Sequence, residues 1–134
     1  MKKIALALGA VLATAAPAAA LPAAATPPPP ADAHVRLTVT RAVGGPGRNA
    51  SVWLDCPARR APHHPNREAA CADLAAADGD LDRLPGQETA VCSNDSSQVT
   101  VTADGTYAGR AVHWRHVYAN DCLLTLATGK VFDF

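Results

Sequence analysis

A chain of 134 residues with 12 basic and 12 acidic side chains carries no net charge, so it lacks the basic footprint by which proteins hold nucleic acid. Its residues are 49% apolar but only 4% aromatic, and after the first 25 no stretch reaches the roughly 20 apolar residues of a membrane-spanning helix. That leaves room for one domain with a modest core, and four cysteines are present to supplement it.

The start reads as a secretion signal. Lys2 and Lys3 open it, residues 4–15 are apolar, and small residues allow cleavage after Ala20 or Ala25. Pro17 and Pro22 interrupt the apolar run and argue against a retained anchor. Without residues 1–25 the basic count falls from 12 to 10 while all 12 acids remain, leaving a slightly negative, extracellular domain of about 105 to 115 residues. In an oxidising compartment an even number of cysteines in so short a chain indicates disulfides, with three connectivities open. Loops of about 15 to 30 residues closed in this way contribute up to roughly 3 to 4 kcal/mol each.

Residues 26–33, with four consecutive prolines, form an extended arm ahead of the domain at 34–134. Ala33 to Arg41 alternates, with Val35, Leu37 and Val39 on one side, which predicts a half-buried strand. Gly44-Gly45-Pro46-Gly47 turns the chain, and Val52, Leu54 and Cys56 alternate over 51–56, predicting an antiparallel partner. Asn66 suits a helix cap; Ala70, Leu74 and Ala77 follow at helical spacing until Gly79 stops the helix. Residues 80–91 show no period and read as a loop. Val99, Val101 and Ala103 alternate up to Asp104-Gly105, the signal of a two-residue hairpin turn, and 107–119 returns with Val112, Trp114, His116 and Tyr118 on one side. Residues 122–127 read as a short helix and 131–134 as a last strand. The order predicts an α+β domain with one antiparallel sheet and helical cover.

Several residues invite a catalytic or metal reading. His113, His116 and Asp104 could join a serine, but the two histidines lie an odd number apart on one strand and so face opposite ways, and no Gly-x-Ser-x-Gly elbow occurs. His63-His64 lacks the further spaced ligands of a zinc site, and Asp78-Gly79-Asp80-Leu81-Asp82 lacks the later ligands of a calcium loop. Asn49 and Asn94 fit the glycosylation pattern and are expected at the surface. No enzyme, cofactor or metal is expected. Residues 86–98 remain: either a linker or, held at Cys92, an extended segment able to lie in a protease cleft as a substrate does.

The cysteine separations of 15, 21 and 30, Cys56-Pro57 with His64-Pro65, Ala70-Cys71-Ala72-Asp73-Leu74 and Gly79-Asp80-Leu81 bring a known pattern together. It continues through Val101-Thr102-Ala103-Asp104-Gly105-Thr106-Tyr107-Ala108-Gly109-Arg110, Tyr118-Ala119-Asn120-Asp121-Cys122 and Val131-Phe132-Asp133-Phe134. On these residues the chain resembles the Streptomyces subtilisin inhibitor family over almost all of 35–134. The resemblance implies Cys56 paired with Cys71 and Cys92 with Cys122, a five-stranded antiparallel sheet with two helices, and a homodimer formed sheet to sheet. It also implies inhibition of a secreted serine protease through a reactive loop of Cys92, Ser93, Asn94, Asp95, Ser96 and Ser97. The scissile bond would be Asn94-Asp95, with Asn120 supporting the loop from below.

The loop departs from that family's pattern. Where members carry proline, then methionine or lysine, then a hydrophobic residue, and proline again before the strand, this chain has Ser93, Asn94, Asp95 and Gln98. Each lost proline loosens a loop by about 0.4 to 1 kcal/mol. Asn94 forgoes about 25 cal/mol per Å² of apolar burial in a hydrophobic pocket. These departures sustain an alternative, a secreted binding or structural module that keeps the fold without inhibiting.

Overall fold

A computed structural model describes residues 31–42, 48–59, 63–88 and 91–134. The expected signal at 1–25, the arm as far as Pro30 and the Gly44 to Gly47 turn lie outside the described residues. Four strands, β1 (Ala33–Arg41), β2 (Arg48–Cys56), β3 (Val99–Tyr107) and β4 (Arg110–Tyr118), form one antiparallel sheet in the order β2-β1-β3-β4. Two helices, α1 (Arg67–Ala76) and α2 (Asp121–Thr128), complete the α+β architecture.

Alternation along β1 decides which face is buried. Val35, Leu37 and Val39 point inward with Leu54 of β2, Val99, Val101 and Ala103 of β3 and Val112 of β4. Ala70 and Leu74 of α1, Ala77 just after it and Leu124 of α2 close over this face, as their helical spacing requires. The outer face carries the exposed His34, Arg36, Ser51, Asp104, His113 and Arg115. There His34 stacks on Trp53 with ring centroids 4.2 Å apart.

Four expectations need correction. The sheet has four strands among the described residues, not five. Residues 131–134 make turn bonds instead, from Val131 N to Thr128 O and Asp133 N to Lys130 O. Val131 and Phe132 are both buried, which a strand with one solvent face would not allow for successive residues.

The β3-β4 turn is not Asp104-Gly105. Pairing with β1 continues to Ala33 opposite Tyr107, which is buried, so β3 runs two residues further. The chain reverses at Ala108 and Gly109, with φ of 48° and 75°, both left-handed as a two-residue hairpin turn demands. Gly105 instead permits close approach, since a Cβ there would meet the His34 carbonyl oxygen at 2.1 Å.

Asn66 occupies the cap position of α1 without capping through its side chain. Its carboxamide donates to Asp133 O at 2.9 Å and Asp133 Oδ2 at 3.2 Å, tying the helix start to the last residues. Within 80–91, read as loop, Leu81–Arg83 forms a short 3-10 helix whose preceding Asp80 accepts from Asp82 N at 3.0 Å. Leu81 and Leu84 are buried, and these two contacts with the core supply the order that a search for periodicity misses.

Candidate functional site

The segment after the short helix is fastened before it becomes exposed. Gln87 N donates to Leu126 O at 2.9 Å, and Gly86 lies so close to α2 that a Cβ would meet Leu126 O at 2.1 Å. From Val91 to Gln98 the chain has no ladder partner, and Val91, Ser93, Asn94, Asp95, Ser96, Ser97 and Gln98 are all exposed. At its exit Gln98 O accepts from Ala42 N at 3.3 Å, which sets the loop on the end of β1.

Two devices hold the exposed stretch from beneath. A disulfide joins Cys92 to Cys122 with Cα atoms 5.6 Å apart, tying the loop to the first turn of α2. Asn120, buried at the cap of α2, accepts from Leu123 N through Oδ1 at 2.9 Å. Its Nδ2 donates to Ser93 O at 3.1 Å and to Asp95 O at 2.9 Å. One carboxamide thus serves as helix cap and as a bracket for the backbone on either side of Asn94. Above it, Ser93 Oγ donates to Asp95 Oδ2 at 2.7 Å.

The platform is anchored to the sheet by Arg41 Nε, 2.8 Å from Asp121 Oδ1. Apolar side chains flank the polar loop: Val91 is fully exposed before it and Leu123 is 38% exposed beside the disulfide. No lysine or arginine occurs between Leu84 and Gly109, so the loop's carboxylate has no basic neighbour in sequence.

At the far end of the sheet the other disulfide joins Cys56 to Cys71, linking β2 to α1 with Cα atoms 5.9 Å apart. His64 lies buried close by in sequence. Its Nε2 donates to Val131 O at 2.9 Å while Nδ1 accepts from Asn66 N at 3.0 Å, an arrangement that requires the neutral ring. Burial lowers the pKa of His64 below the ordinary histidine value, opposed by the Val131 carbonyl and the charge of Asp133.

The remaining polar candidates are separated. His113 meets Asp104 at 3.1 Å on the exposed outer face, whereas His116 lies on the other face against Tyr118, 4.4 Å between rings. Asp78 contacts Arg110, Asp80 caps the short helix, and Asp82 accepts from Trp114 Nε1 at 2.8 Å. Among the described residues no cluster of three or more metal-ligating side chains forms. No described helix is long and apolar enough to cross a membrane.

The family model described as subtilisin inhibitor-like matches residues 31–120. The chain belongs to the subtilisin inhibitor-like family. Its members inhibit proteases and are not enzymes. Protease inhibitor SIL-V5 of Streptomyces luteoverticillatus is 37% identical over 66% of this chain and 82% of its own length. Subtilisin inhibitor-like protein 2 of Streptomyces rochei is 34% identical over 63% of this chain and 74% of its own. Among solved structures, Streptomyces caespitosus sermetstatin in complex with Bacillus licheniformis subtilisin matches with a TM-score of 0.58 and 33% identity. That match covers 78% of this chain and 99% of the other.

The Ser93-Asp95 hydrogen bond and the Arg41-Asp121 pair escaped the sequence reading. A Ser-x-Asp spacing in a loop could have signalled the first. Nothing local could signal the second, whose partners lie on different elements.

Proposed function

We propose that the protein is a secreted inhibitor of an extracellular serine endopeptidase, with residues 92–97 entering the protease cleft as a substrate would. The observation that carries this reading is the Asn120 bracket, which holds the carbonyls of Ser93 and Asp95 while leaving the Asn94 side chain exposed. A protease binds an extended chain in one conformation, and a loop already held in one conformation gives up little entropy on binding. The protease supplies the nucleophile and base, and the inhibitor supplies a scissile bond, Asn94-Asp95. The related structure is described as a complex with subtilisin, which supports a serine protease partner.

Export through residues 1–25 and association of two copies through the outer sheet face belong to the same proposal. Trp53 and Val117, 37% and 47% exposed, supply apolar surface on that face. Sedimentation at graded concentration tests the dimer, and N-terminal sequencing of the exported protein tests the cleavage site.

The inhibitory reading is tested by titrating subtilisin and a panel of serine proteases with the mature protein and weighing the products. Stoichiometric loss of activity with a cut after Asn94 is expected for at least one protease, and weak inhibition for subtilisin. The polar loop favours the second reading, a non-inhibitory module. It gains if no protease is inhibited and Asn94→Met with Asp95→Val restores inhibition of subtilisin.

A further inference from the structure

We infer that Ser93 and Asp95 form a side-chain clasp across Asn94 that restrains the loop in place of the missing prolines, making both positioning residues for the bond between Asn94 and Asp95. The inference rests on the inhibitory reading for its functional meaning, but its geometry is independent of it. Ser93 Oγ donates to Asp95 Oδ2 at 2.7 Å, a hydrogen bond strengthened by the charge on its acceptor.

Backbone and side chains are restrained by separate bonds. Asn120 fixes the carbonyls of Ser93 and Asp95. The hydroxyl and the carboxylate of the same two residues hold each other. Because Asn120 has already fixed the two residues, closing the clasp orders little more than two short side chains, so most of its attraction is retained as restraint. Proline is absent from 91–98, so ring constraint cannot supply that stiffness here. The carboxylate makes no ion pair among the described residues, which leaves the Ser93 hydroxyl as its partner.

The clasp also sorts the three side chains by role. Those of Ser93 and Asp95 are committed to each other, and that of Asn94 is the one presented. Specificity at the cleft should therefore follow substitutions at Asn94, while substitutions at 93 or 95 that break the clasp should act on the free loop before any protease is met.

Two measurements on Ser93→Ala, Asp95→Ala, the double variant and Ser93→Thr decide the matter. One is the backbone order parameter of the Asn94 and Asp95 amides in the free protein. The other is the ratio of cut to intact inhibitor at equilibrium, approached from both sides with a trace of protease; it depends on the inhibitor alone. We expect lower order parameters and a roughly three- to tenfold rise in the cut fraction for either alanine variant. The double variant should add nothing, and Ser93→Thr, which keeps the hydroxyl, should restore both readouts. Unchanged order parameters in Ser93→Ala, or single effects that multiply in the double variant, overturn the clasp. If no protease cuts after Asn94 the inhibitory reading fails, and the order parameters still decide the clasp.

Discussion

Cys56 and Cys71 join β2 to α1 at the end of the sheet where β1 begins, beside the buried Leu54 and Asp55. Cys92 and Cys122 join two segments at the opposite end, where one partner lies in an exposed loop and the other in the first turn of α2. At the first end the cross-link is backed by a core. At the second it is backed by one buried carboxamide, and residues 93–98 of the loop are all exposed. Covalent restraint can therefore substitute for packing, provided the backbone polar groups of the unpacked segment still find partners.

The largest effect expected follows from removing each cross-link. Cys56→Ser with Cys71→Ser should cost roughly 2 to 5 kcal/mol in a denaturant titration, yet leave inhibition intact below the unfolding transition. Cys92→Ser with Cys122→Ser should also lower stability, and in addition abolish stoichiometric inhibition while the sheet remains folded. Equal loss of inhibition in both would break the comparison.

Asn120 allows a finer cut. Asn120→Ala removes the cap and both bracket bonds, and should cost about 1 to 2 kcal/mol while accelerating cleavage of the loop. Asn120→Ser keeps a capping oxygen for Leu123 N but is too short to donate to the two loop carbonyls. Its stability should stay within about 1 kcal/mol of the parent while cleavage still accelerates. Matching stability losses in the two variants would mean that bracket and cap cannot be separated.

The first end should also respond to acid. His64 is held neutral, with its pKa depressed in the folded state, so below the ordinary histidine pKa of about 6.5 the unfolded chain binds more protons. Stability should be full above that value and fall as pH drops from it through the lower folded pKa. Denaturant midpoints between pH 7.5 and 5 check this, and the loss of stability towards pH 5 should be smaller in a folded His64→Gln variant. The smallest effect belongs to Asp121→Asn, which removes a partly exposed pair with Arg41 and should cost less than about 1 kcal/mol, further reduced by salt.

The parts of the fold legible in sequence are those where one face is buried and the other wet. β1 is found at its true limits because Val35, Leu37 and Val39 alternate with exposed or half-exposed neighbours. Legibility fails where a tertiary partner overrides a local signal. Asp104-Gly105 has the composition of a turn, but β1 extends the ladder past it; Asn66 has the side chain of a cap, but Asp133 claims it. Val131 and Phe132 look like strand residues because they are apolar, although what buries both is a turn packed into the core. At the site, the residues alone left 86–98 open as a linker or a segment held at Cys92, and only the family resemblance pointed to residues 92–97 and Asn120. The partners of Asn120 and the bond between Ser93 and Asp95 depend on distances that no spacing encodes.

The disulfide between Cys92 and Cys122 makes the intervening backbone a closed ring, and the peptide bond between Asn94 and Asp95 is one of its links. A ring opened at a single link is still one piece. Hydrolysis there adds one water to the mass and two charged ends to the surface, yet releases no fragment; the halves separate only after reduction as well as unfolding.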